Sequence, residues 1–123
     1  MVYQDDFCSA FMDIQPINPG HLLVVPNRHA SDLTSLKAEE GAQMFLIAHR
    51  LAAALRSGVV RCEGVNFFLA DGEAAGQEVF HAHLHVFPRN VGDGFSLVLP
   101  PTYSQKPNRT ELDALAENIR SAL

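Results

Sequence analysis

The stretch VFHAHLHVFPR, residues 79–89, decides how this chain is read. Its apolar and aromatic residues and closing proline fit a β-strand. Side chains alternate along a strand, so His81, His83 and His85 share one face, and Ala82, Leu84 and Val86 share the other. The apolar face belongs to the core, which leaves three imidazoles on the open face. A single histidine there is ordinary packing; three in strict alternation are not.

Two chemistries compete for that pattern. Same-face neighbours on a strand lie about 6.6 Å apart, so the outer two histidines are about 13 Å apart and cannot share one ion. A two-histidine metal site needs a further ligand, for which Glu78, His21 and His29 are the candidates. Phosphoryl transfer uses the row better. A neutral imidazole is a competent nucleophile near pH 7 once a backbone carbonyl holds one ring nitrogen and turns the other lone pair outward. Flanking imidazoles can then hold phosphate oxygens or move a proton. The loop just before the histidines, DGEAAGQE (71–78), brings Gly72, Gly76 and Gln77 as donors to cradle an anion.

Outward from that strand, the chain reads as strands, helix, strands, helix. Residues 7–14 and 21–26 form two strands joined by a generous turn through Pro16, Asn18, Pro19 and Gly20. From 36 to 57 the period becomes helical, with Met44, Ala48, Leu51 and Leu55 as the stripe and Gly58 as the stop. Residues 64–70 are a further strand. Residues 110–122 form a last helix, capped by Thr110 or Asn108, with Leu112, Leu115, Ile119 and Leu123 on one side. This order predicts an α+β fold with a mainly antiparallel sheet.

The 123 residues fit one domain over 1–123, its end (96–123) being a loop and a helix. With 47% apolar and 19% charged residues, a packed core is expected. Fourteen acids against nine bases give a net charge of −5, which excludes a long nucleic acid as the main partner but not a small nucleotide. No run is long and apolar enough to cross a membrane, and acids (Asp5, Asp6) stand where a signal peptide has bases. Cys8 and Cys62 make no CxxC pair and read as reduced thiols, so the expected compartment is the cytoplasm.

HAHLHVF (81–87), together with GHLLVVPNRH (20–29) after FMDIQPINP and AAGQEVF upstream of the histidines, resembles the histidine triad (HIT) superfamily, in its nucleotide hydrolase and phosphoramidase branches. The match runs from residue 7 to about 95. It implies a HIT-like fold, with a five-stranded antiparallel sheet, flanking helices and a homodimer. It implies a purine nucleotide substrate, a dinucleoside polyphosphate or nucleoside phosphoramidate, cleaved at the α-phosphate through a nucleotidyl-histidine. His83 is then the nucleophile, and His85 contacts phosphate and assists the leaving group. His81 supports His83, and His21 completes the set. Asp13 lies where the family binds ribose hydroxyls and Gln77 where it binds phosphate; Ile14 and Gly76 are placed with them. The third histidine, where the uridylyltransferase branch has glutamine, favours a hydrolase. No cofactor is implied. The amino-terminal cysteine pair that carries a structural zinc in some bacterial relatives is missing, so no such metal is expected.

Two positions depart from the family pattern. Ala70 stands where relatives often carry an amide that touches phosphate, with Asn66 or Asp71 as possible substitutes. Glu78 stands where several branches have a hydroxyl. Both leave room for a second reading, a nucleotide-binding or scaffold module without catalysis. His29 reads as a loop residue and His49 as helix surface. Phe7, Phe11 and Ile14 fit equally a core or the wall of a purine pocket.

Overall fold

The computed structural model describes residues 1–123. Its centre is a five-stranded sheet that is antiparallel throughout: β1 (Tyr3–Gln4), β2 (Cys8–Met12), β3 (Leu22–Pro26), β4 (Gly64–Phe68) and β5 (Leu84–Arg89), in the spatial order β1-β2-β3-β5-β4. The expected α+β fold and five-stranded sheet are what the chain forms. β1 was not anticipated. It is two residues long and pairs Tyr3 with Ala10, too short to leave a periodic trace.

Helix α1 (Ala38–Ala54) lies across one face of this sheet. Its stripe of Met44, Ile47, Ala48 and Leu51 continues into Leu55 and meets Cys8, Ala10, Leu22, Val24, Leu84 and Val86 in one core cluster. These sheet residues are alternate positions on β2, β3 and β5, so the period-two reading assigned the core face correctly. Lys37, the residue before the helix, makes no capping bond with its side chain. The first turn is held instead by Glu40, whose buried carboxylate takes the guanidinium of Arg28 at 2.9 Å. After Ala54 the helix loosens into a π turn over Leu55–Val59 and stops at Gly58, whose φ of +101° belongs to the left-handed region.

One expected strand is shorter than its sequence pattern. Residues 79–89 alternate throughout, yet the ladder begins only at Leu84. The register explains the loss. Leu22 faces Val86 and Val24 faces Leu84, so Pro26 falls opposite Ala82. Proline has no N–H to donate, and the ladder cannot continue past it. The Ala82 amide bonds instead to the Ala30 carbonyl at 2.7 Å. His81 and His83 therefore stand on the approach to the strand, and only His85 lies within it.

Helix α2 (Arg109–Ala122) begins with a capping box. The Asn108 side chain accepts from the Glu111 amide, and the Glu111 side chain accepts from the Asn108 amide. Asn108, not Thr110, is the cap. None of its residues is buried, so the stripe of Leu112, Leu115 and Ile119 faces open surface. No helix of the structure is long and apolar enough to cross a membrane.

Candidate active site

With α1 covering one face of the sheet, the other face is open, and the histidines lie on it. The turn between β2 and β3 sets their base. Gly20 adopts φ +102°, and a Cβ there would sit 3.2 Å from Leu55 and Val60 side-chain atoms and 3.3 Å from Pro88. Only glycine fits both the conformation and the gap. The turn is tied down by Asn18, which donates to the Pro88 carbonyl and the Asp93 carboxylate, both at 2.9 Å. Asp93 in turn takes the Arg89 guanidinium at 2.8 and 3.0 Å, and these donors hold its carboxyl well below the usual range. Nothing in the sequence pattern marked this knot of Asn18, Arg89 and Asp93. It clamps the turn to the end of β5.

The clamped turn delivers His21 into the protein, 2% exposed. The Ile17 amide donates to His21 Nδ1 at 3.0 Å, so that nitrogen carries no proton. The proton sits on Nε2 and is donated to His85 Nδ1 at 2.8 Å. His85, accepting at Nδ1, keeps its own proton on Nε2, which faces the open side. One backbone amide thus sets the tautomers of two rings. Burial pushes the pKa of His21 down. Burial, reinforced by repulsion from His83 and His21 and opposed by Asp13, lowers that of His85 to about 4.

His83 is fixed separately. Its Nδ1–H donates to the His81 carbonyl at 2.7 Å, which leaves the Nε2 lone pair pointing outward. The support expected of His81 comes from its backbone. Its ring turns aside: Nε2–H donates to the Pro26 carbonyl at 3.0 Å, and Nδ1 meets His29 Nδ1 at 3.3 Å. A cavity of about 360 Å³ opens beside His81 and His83, walled by Phe11, Leu23, Val25 and Val79. Phe11 therefore lies on the wall, whereas Phe7 and Ile14 do not line it.

The loop residues take other positions than the pattern implied. Gln77 is 3% exposed beneath its loop. Its carbonyl oxygen accepts from the Gly72 amide at 2.9 Å, and its amide donates to the Ser31 and Val79 carbonyls at 2.5 and 3.1 Å. The Gly76 and Gln77 amides close turns onto the Glu73 and Gly72 carbonyls. Neither residue turns a spare donor to the open face; both shape the loop that carries the histidines. The two residues named as substitutes for the amide missing at Ala70 both accept hydrogen bonds from the protein. Asn66 accepts from Arg89 at 2.7 Å and Asp71 from the Leu33 amide at 3.0 Å.

Asp13 lies at the edge of the site with Oδ2 3.6 Å from His21 Nε2 and 3.9 Å from His85 Nδ1, while Ile14 beside it is fully exposed. The donor atoms of Asp13, His21 and His85 all fall within 4.8 Å, a spacing that three ligands of one metal ion can show. The tautomer argues against that use. With Ile17 bonded to Nδ1, the Nε2 of His21 bears a proton and has no lone pair for a cation. Glu78 and His29 do not join this group.

The family model for the HIT domain matches residues 1–92. The chain belongs to the histidine triad (HIT) family. Relatives of this HIT protein are similar along nearly its whole length. The protein named hit of Bacillus subtilis is 39% identical over 123 residues, which span 99% of this chain and 83% of that one. A HIT family protein of Bacillus anthracis has a crystal structure that superposes with a TM-score of 0.88 at 33% identity, over 99% of this chain and 86% of the other. A zinc-bound histidine triad family protein of Mycobacterium smegmatis superposes at 0.73 with 37% identity, over 99% and 86%. Residues 93–123, including α2, lie beyond the family match.

Proposed function

We propose that this HIT protein hydrolyses a bond at the α-phosphate of a purine nucleotide, with His83 as nucleophile. One observation carries the reading: the bond from His83 Nδ1–H to the His81 carbonyl, which leaves the Nε2 lone pair free on a ring that lines a cavity. Family membership and the fixed donor at His85 Nε2 support it. In the first step Nε2 of His83 attacks phosphorus, and the bond from phosphorus to the leaving oxygen or nitrogen breaks with its electron pair. In the second, water attacks the phosphorus, the P–N bond breaks, and the nucleoside monophosphate departs. Phe11, Leu23, Val25 and Val79 offer an apolar wall for the base, and the family resemblance assigns Asp13 to the ribose hydroxyls. Dinucleoside polyphosphates and nucleoside phosphoramidates are the two substrate classes to try.

The test is intact-protein mass spectrometry after a brief, quenched incubation with an adenosine phosphoramidate and, separately, diadenosine tetraphosphate. We expect a nucleotidyl adduct and released adenosine monophosphate. Binding of adenosine monophosphate without adduct or product would instead favour the non-catalytic module, the reading that Ala70 and Glu78 keep open.

We also propose that the chain works as a homodimer. β4 is an edge strand, and Phe67 and Phe68 on it lie exposed, with the exposed Phe45 of α1 edge-on to Phe67 at 5.8 Å. An open edge flanked by aromatic side chains is a natural pairing surface. Sedimentation is expected to give twice the chain mass, and Phe67→Glu to give the monomer; a wild-type monomer at micromolar concentration refutes the dimer. Both cysteines are free, which fits the reducing cytoplasm as its compartment.

A further inference from the structure

Asp13 makes no hydrogen bond to the resting histidine pair, though its charge bears on both rings. Its Oδ1 accepts from the Gln15 amide at 2.9 Å, while Oδ2 lies 3.6 Å from His21 Nε2 and 3.9 Å from His85 Nδ1, beside the hydrogen bond between them and bonded to neither. That bond holds a single proton between the two nitrogens, donated by His21. A further proton has few places to go. His21 Nδ1 is occupied by the Ile17 amide, and His85 Nε2 is already protonated. The remaining site is His85 Nδ1, where the new N–H would confront the N–H of His21 across 2.8 Å. One of the two must swing to another acceptor, and Asp13 Oδ2 is adjacent to both. The other groups facing His85 are the rings of His21, His83 and Phe68, at 5.0, 5.0 and 5.8 Å between centroids; Asp13 alone carries negative charge.

We propose that Asp13 is a positioning residue for proton transfer, its carboxylate accepting the N–H displaced from the His21–His85 pair when a phosphate in the site makes that pair cationic. The consequence is a reusable acid and base, which rests on the phosphoryl-transfer reading above. A proton from solvent enters at His85 Nδ1 and is held against Asp13. As the bond from phosphorus to the leaving group breaks, the Nε2 proton of His85 passes to the departing oxygen or nitrogen, and His85 becomes neutral with its remaining proton on Nδ1, while His21 keeps its own on Nε2. Nε2 now has a lone pair. It takes a proton from water as water attacks the nucleotidyl-His83 phosphorus, which restores the cation and frees the His83 Nε2. Burial keeps the empty site neutral at pH 7, so the bound anion must supply the charge that draws the proton in.

The full chain, labelled with 15N-histidine, tests this through the ring nitrogen signals of His21 and His85. In the ligand-free protein, Asp13→Asn is expected to lower the His85 titration midpoint by about one pH unit, the effect of losing an opposite charge within 4–6 Å. Adenosine monophosphate should raise the wild-type midpoint by more than it raises that of the variant. The 2′,3′-dideoxy nucleotide should show the same difference, which separates the proton role from any ribose contact. A complementary readout is the pH profile of adenosine phosphoramidate hydrolysis. Its alkaline limb should move to lower pH in Asp13→Asn and return toward the wild-type position in Asp13→Glu. An unchanged His85 midpoint in ligand-free Asp13→Asn, or a difference confined to ligands with ribose hydroxyls, overturns the proposal. If adenosine monophosphate moves no histidine signal in wild type, the phosphate reading fails, and the ligand-free titration still decides the role of the carboxylate.

Discussion

His83→Ala is expected to abolish turnover, lowering kcat by roughly 10⁴–10⁶-fold, the scale seen when a nucleophile is removed from a catalytic set. No neighbouring ring replaces it. His85 keeps a proton on the nitrogen that faces the site, and the His81 ring is bonded to the Pro26 carbonyl. His83→Asn is the sharper variant, because its amide can still donate to the His81 carbonyl while offering no nucleophilic lone pair. Both should remain folded. His83 is only partly buried, and its ring makes one protein hydrogen bond, so the melting temperature should fall by a few degrees at most. Hydrolysis rates and thermal melts on the same preparations check both halves. Activity within tenfold of wild type in either variant removes His83 from the mechanism.

Phe87→Ala is expected to cost stability instead, by about 3–5 kcal/mol, the usual range for deleting a buried aromatic ring. Phe87 is 2% exposed and lies on the histidine face, not against α1. It stacks at 4.9 Å on the His21 ring and edge-on to Phe95 at 5.6 Å. The cavity left by alanine would therefore open directly under His21. Denaturant unfolding should show the loss, with a Tm lower by roughly 10–20 °C. A loss below 1 kcal/mol would mean that the Phe95 segment collapses into the space. Phe87→Leu, which keeps most of the volume, should lose far less.

How far these residues could be read beforehand depended on how local their causes are. Leu84 and Val86 declare the core face, and His85 the open one, because strand alternation is a property of consecutive residues. The start of β5 was beyond such reading. Pro26 was visible as the end of β3, but that it also ends β5 follows from a register of long-range pairs. The same holds for Gln77. A resemblance places it near phosphate, yet its three hydrogen bonds go to Gly72, Ser31 and Val79, contacts that only the folded loop creates. His21 was legible as a member of the set, but its partners were not. Its state depends on a backbone amide four residues earlier, which no side-chain pattern reveals. The stripe of α2 was legible, but its exposure was not, since amphipathic spacing does not say whether a partner face exists within the same chain.

The bond from Ile17 to His21 has a consequence for how this protein can vary. The donor is a main-chain N–H, which nineteen of the twenty amino acids supply alike. Position 17 is therefore free to drift in size, charge and polarity without disturbing the proton on His21 or the donor that His85 presents. Proline is the exception, since it would delete the donor and let both rings change tautomer. A single codon change to proline, at an exposed turn residue outside the histidine motif, would then silence the site while every histidine stays in place.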